Sequence, residues 1–115
     1  MAETIFSKII RKEIPAEIVF ENETVLAFKD IHPQAPTHIL IIPKEEISTT
    51  REINGKNHSK LLGDLFDAAN EIAVKLGISE SGFRIVINCG DNAGQDVYHL
   101  HLHLLGGRKL NWPPG

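Results

Sequence analysis

Near its end the chain runs Tyr98-His99-Leu100-His101-Leu102-His103-Leu104-Leu105, with histidine and leucine in strict alternation. Successive side chains of an extended segment point to opposite faces, so the leucines share one face and the three histidines the other. The leucine face asks for a hydrophobic core. The histidine face carries ring nitrogens that need partners wherever they are buried. We expect a strand over Val97 to Leu105, lying in a sheet that is covered on its leucine side.

The rest of the chain supplies the other layers. Ile5, Phe6, Ile9 and Ile10 fall at helical spacing behind a Thr4 cap, predicting a short helix over Ile5 to Arg11 that Pro15 stops. Ile18-Val19-Phe20 and Val25-Leu26-Ala27-Phe28 have strand character and flank the turn-prone Glu21-Asn22-Glu23. A proline-rich loop, Asp30 to Pro36, leads into His38-Ile39-Leu40-Ile41-Ile42, an apolar run suited to a central strand buried on both faces. Ser48 to Lys60 is polar, contains Asn54-Gly55, and is expected to be a surface loop. Leu61, Leu62, Leu65, Phe66, Ala69, Ile72, Ala73 and Leu76 repeat every three or four residues. They predict a long helix from near Ser59 that ends at Gly77. Phe83 to Cys89 is rich in β-branched residues and should be a strand, followed by the tight loop Gly90 to Gly94. The expected fold class is α+β: a mainly antiparallel five-stranded sheet with one long helix and a short N-terminal helix, in one domain over residues 1–115.

Composition removes several function classes. Lys and Arg number 12 against 15 Asp and Glu, for a net charge of −3, so no basic surface suits a nucleic acid. No apolar run is long enough to cross a membrane. Cys89 is the only cysteine, which excludes an internal disulfide and fits a reducing compartment. With no basic-then-apolar order in Met1 to Lys8, the expected location is cytoplasmic.

Two chemistries compete for the histidine face. His-x-His on a strand chelates metals, but alternate residues stand about 6.6 Å apart, leaving His99 and His103 about 13 Å apart at the backbone. One ion needs each nitrogen at about 2.0–2.1 Å, so a third histidine joins only if the strand bends. The other chemistry is nucleophilic attack on phosphorus by a neutral imidazole, with flanking groups fixing its tautomer or binding phosphate oxygens. Such a site also needs donors aimed at an anion, and the loop Gly90 to Gln95 with Asn88 offers candidates. A nucleotide-binding module without turnover is the alternative to an enzyme.

His99-Leu-His101-Leu-His103-Leu-Leu matches the pattern His-x-His-x-His-x-x with x apolar, and so resembles the signature of the histidine triad (HIT) family. Thr4 to Pro15, Phe28 to His38, Gly94 to His99 and the terminal Trp112-Pro-Pro-Gly115 are similar to the Hint branch, whereas Lys44 to Lys60 has no clear counterpart. The resemblance implies a homodimeric purine nucleotide phosphoramidase that splits the P–N bond of adenosine 5′-phosphoramidates, including AMP joined to lysine, without a metal or other cofactor. It makes His101 the nucleophile, transiently nucleotidylated and then freed by water. His99 would lie against the α-phosphate, His103 would orient the nucleophile or contact phosphate, and His38 would complete the network behind it. Asp30 would hold the ribose hydroxyls. Ile5, Phe6, Ile9, Phe28, Ile31 and Leu40 would form the purine slot. Asn88, Gly94, Gln95, Asp96 and Val97 would hold the phosphate and leaving group. Trp112 would sit near the partner's active site in a dimer that accepts AMP or GMP conjugates. Three positions depart from the pattern: Asp96 and His32 stand where many relatives have serine, and Glu46 where some have histidine.

Overall fold

The central strand of the sheet is the apolar run identified above. In the computed structural model, which describes residues 3–115, β3 spans Thr37–Pro43, and every residue after Thr37 is buried. Around it lie β1 (Ile18–Glu21), β2 (Val25–Lys29), β4 (Phe83–Val86) and β5 (Leu102–Gly106), in the order β1-β2-β3-β5-β4 with every pair antiparallel. Two α-helices complete the fold, α1 (Ile5–Ile10) and α2 (Gly55–Lys75). The α+β architecture expected from the sequence is the one observed. No helix among the described residues is long and apolar enough to cross a membrane.

Alternation along β3 divides the core into two layers. Ile39 and Ile41 join Leu65, Ala69, Ile72, Leu102 and Leu104 beneath α2. Leu40 and Ile42 face the other way and pack with Phe6, Ile9, Leu26 and Phe28 under α1. Full burial of a side chain the size of Leu65 or Ile72 contributes about 1.5–3 kcal/mol, so α2 is held mainly by its apolar stripe. The site develops on the opposite side of the sheet from α2.

The helix ends follow local chemistry. Thr4 and Ser7 form a reciprocal capping box at α1. At the end of α2 the Gly77 amide donates to the Val74 carbonyl and the Ile78 amide to the Ala73 carbonyl, with Gly77 at φ +76°, a Schellman closure.

Three boundaries differ from expectation. The start of α2 lies at Gly55, within the segment expected to be loop: Asn54 caps the helix by accepting the Asn57 amide. A cap and a turn favour the same residues, and the first turn is polar and exposed, so no apolar period marks it. A 3-10 turn, Thr50–Glu52, precedes it. Next, β4 stops at Val86 instead of Cys89. Finally, β5 begins only at Leu102, so His99 and His101 precede the strand and only His103 lies in it. The ladder between β3 and β5 ends at the Ile41–Leu102 pair, and the residues before Leu102 use other partners: the Leu100 amide donates to the Ile47 carbonyl at 2.6 Å. The two faces survive the loss of the ladder, since Leu100, Leu102 and Leu104 all enter the core beneath α2.

Candidate active site

Pairing of β3 with β5 sets Leu40 opposite His103, which brings His38, two positions earlier on the same face, beside it. His38 Nε2 lies 2.9 Å from His103 Nδ1. The proton positions follow from the outer partners. The Gln34 backbone N–H donates to His38 Nδ1 at 3.0 Å, so the proton of neutral His38 sits on Nε2. That proton is donated to His103 Nδ1, which leaves the His103 proton on Nε2. The His103 ring lines a cavity, and its Nε2–H has no protein acceptor among the described residues.

His101 is fixed by a different route. Its Nδ1–H donates to the His99 carbonyl at 2.7 Å, since a carbonyl only accepts. Its Nε2 therefore holds an unshared electron pair with no protein partner among the described residues. Phe6 packs edge-on against the ring at 5.1 Å between centroids, and His103 lies at 4.9 Å. His99 is not in the cavity wall: it is 2% exposed, and its Nε2–H donates to the Pro43 carbonyl at 2.8 Å. Its bond ties the backbone that holds His101 to the end of β3.

Burial disfavours the charged form of His38, His99 and His103. It lowers His103 to about 4, helped by the nearby charges of His101 and His38 and opposed by Asp30 and Asp96. Burial also lowers His38, against the pull of Asp30, and His99, against its bond to Pro43 and the charge of Glu46. Glu46 in turn accepts from the Ser7 hydroxyl at 3.5 Å.

The cavity, about 280 Å³, brings together most of the residues singled out from the sequence. Phe6, Phe28, Ile31 and Leu40 form apolar wall, and Asp30, Asp96, Val97, His101 and His103 supply polar groups. Ile14, Pro15 and Ala16 also line it. They escaped the sequence reading because Pro15 served there only as a helix stop. Asn88, Gly94, Gln95 and Trp112 are not in its wall. Trp112 is 82% exposed on a tail that Arg84 holds by donating to the Asn111 carbonyl.

Gln95 is structural in this geometry. Its side chain accepts the Gly90 amide and donates to the Ser48 and Val97 carbonyls. The Gly94 and Gln95 amides bond back to the Asp91 and Gly90 carbonyls, so they are not free for an anion. The Asp96 and Val97 amides have no protein acceptor among the described residues and lie in the segment that lines the cavity. Glycine at 94 is required by its left-handed φ of +82°.

Asp30, His38 and His103 offer ligand atoms within 4.8 Å of one another, a spacing a metal could use. The donor set does not suit one. A metal on His38 Nε2 would move that ring's proton to Nδ1, against the Gln34 N–H.

Comparison with known proteins agrees with this geometry. The family model described as HIT domain matches residues 11–110. The chain belongs to the HIT family. A purine nucleoside phosphoramidase of Escherichia coli strain K12 is 53% identical over 108 residues, covering 94% of this chain and 90% of that relative. A 14 kDa zinc-binding protein of Zea mays is 55% identical over 113 residues, covering 97% of this chain and 88% of its own length. Among solved structures, a HIT family hydrolase from Legionella pneumophila superposes with a TM-score of 0.95 at 51% identity, covering 98% of this chain and all of the other. The HIT signature is thus carried by a segment of which only the last histidine lies in regular strand.

Proposed function

We propose that this HIT protein is a purine nucleotide phosphoramidase that hydrolyses the P–N bond of adenosine or guanosine 5′-phosphoramidates, AMP-lysine among them, through a nucleotide bound covalently to His101. The observation that carries the reading is the tautomer of His101, whose Nδ1–H is held by the His99 carbonyl while Nε2 is left free. The 53% identity to the phosphoramidase of E. coli supports the same chemistry.

In the first step the Nε2 electron pair attacks phosphorus and the P–N bond breaks. The amine leaves with a proton from water at the cavity mouth. Positive charge growing on the ring is stabilised by the Nδ1–H bond to the carbonyl, and the phosphoryl oxygens receive His103 Nε2–H and the Asp96 and Val97 amides. Water then attacks phosphorus and gives its proton to the hydroxide left at the mouth by the first step, the P–Nε2 bond breaks, and AMP leaves with His101 restored. His38 keeps His103 a donor at Nε2, Asp30 holds the ribose, and the apolar wall takes the purine. No step requires a metal or other cofactor.

We further propose one HIT domain across the chain, a homodimer in which Trp112 reaches the second copy, and a cytoplasmic setting. The family match over residues 11–110 supports the first, the exposed Trp112 and the outer edge of β4, unpaired among the described residues, support the second, and the free Cys89 supports the third. Steady-state hydrolysis of AMP- and GMP-phosphoramidates beside diadenosine polyphosphates tests the function. Preferred cleavage of the phosphoramidates is expected, and cleavage of the polyphosphates alone would overturn it.

A further inference from the structure

We infer that Asp96 selects substrates whose departing amine carries a second positive charge. The inference rests on the P–N hydrolysis proposed above and names the amine class that reaction prefers.

Asp96 stands in the cavity wall with Val97, His101 and His103. The other charged side chains there are engaged. Lys29 holds Glu17 at 2.8 Å, and Asp30 accepts the His32 amide at 2.8 Å and lies 3.5 Å from His38 Nε2. Asp96 has neither an ion pair nor a side-chain hydrogen bond among the described residues, and it is exposed. A phosphate in the same cavity adds a second negative charge, and among the described residues no free cation in the wall offsets the two. Like charges sharing a site disfavour one another, so the arrangement is favourable when the substrate brings the missing cation.

Geometry places that cation on the amine. In-line attack by His101 Nε2 sends the leaving nitrogen away from the imidazole. The apolar wall of Phe6, Phe28 and Leu40 suits the base, and we assign the departing group to the part of the wall that carries the exposed Asp96. An ammonium a few bonds beyond the leaving nitrogen then meets the carboxylate. The amines favoured are diamines and basic amino acids over simple alkylamines. In an exposed mouth the attraction is screened, and the preference it creates is about two- to fivefold in kcat/KM.

The test compares AMP joined to ethylenediamine with AMP joined to propylamine, of equal chain length. The two amines differ in leaving ability, so the readout is how the ratio of their kcat/KM values changes between proteins. Asp96→Asn keeps the shape and removes the charge, and Asp96→Glu returns it. The cationic-to-neutral ratio should fall about two- to fivefold in Asp96→Asn, recover at least partly in Asp96→Glu, and shrink in the parent at high salt. A ratio unchanged in Asp96→Asn while the parent cleaves both compounds overturns the inference and leaves the phosphoramidase reading standing. Failure of the parent to cleave either compound overturns both.

Discussion

Acidification from about pH 7 to about pH 5 should weaken the fold through His103. Burial, with the charges of His101 and His38 adding to it, lowers this imidazole from 6.5 to about 4. The unfolded chain therefore takes up the proton first. The group's contribution to stability is complete above 6.5 and is lost as pH falls toward 4. Near pH 5 the unfolded imidazole is almost fully protonated and the folded one mostly neutral, a difference of about 2 kcal/mol. His38 and His99 are lowered by burial too and act in the same direction. Denaturant unfolding of the parent and His103→Gln, at both pH values and one protein concentration, isolates the contribution, because the carboxylates are common to both proteins. The parent should lose about 2 kcal/mol more than the variant. Equal losses would refute the argument that a half-buried, neutral His103 is built into the site.

Gln95→Leu removes the acceptor of the Gly90 amide and the donor to two carbonyls in a side chain 6% exposed. A loss of about 2 kcal/mol in thermal unfolding is expected, together with a fall in kcat as the Asp96–Val97 segment loosens. Hydrolysis should survive prolonged chelation, because the Gln34 amide holds His38 as a proton donor to His103; loss of activity that zinc restores would contradict this. Deleting residues 111–115 should change substrate preference in a protein that sediments as a dimer at micromolar concentration. A monomeric parent, or an unchanged preference, would remove the tail from the site.

Side-chain periodicity made the layers legible: the β3 run and the α2 stripe needed no more than apolar spacing to be placed. The same periodicity put the three histidines on one face and the leucines in the core. It could not say that His99 and His101 precede the strand, because that depends on where the pairing with β3 stops, at Ile41 and Leu102. Asn54 failed as a signal for the same kind of reason, since its cap and turn roles share one chemistry. Within the site, the lining residues Phe6, Phe28, Asp30 and Leu40 were found through family resemblance; their residue types alone suit plain core or a turn equally well. The groups that set the tautomers are backbone atoms, the Gln34 N–H and the His99 and Pro43 carbonyls, which every residue type except proline's missing N–H supplies alike. No side-chain pattern encodes them. The bracing of the loop by Gln95 was not legible either, because its three partners come from a segment distant in sequence as well as from neighbours.

The claim on which the account depends is that His101 Nε2 takes the nucleotide. Rapid mixing with an adenosine phosphoramidate, acid-free denaturing quench and mass spectrometry of the digested protein measure it directly. The account predicts a peptide heavier by one adenylyl group, with the adduct on His101, and no adduct in His101→Gly. Single-turnover release of AMP with an unmodified His101, or an adduct on His99 or His103, would contradict it.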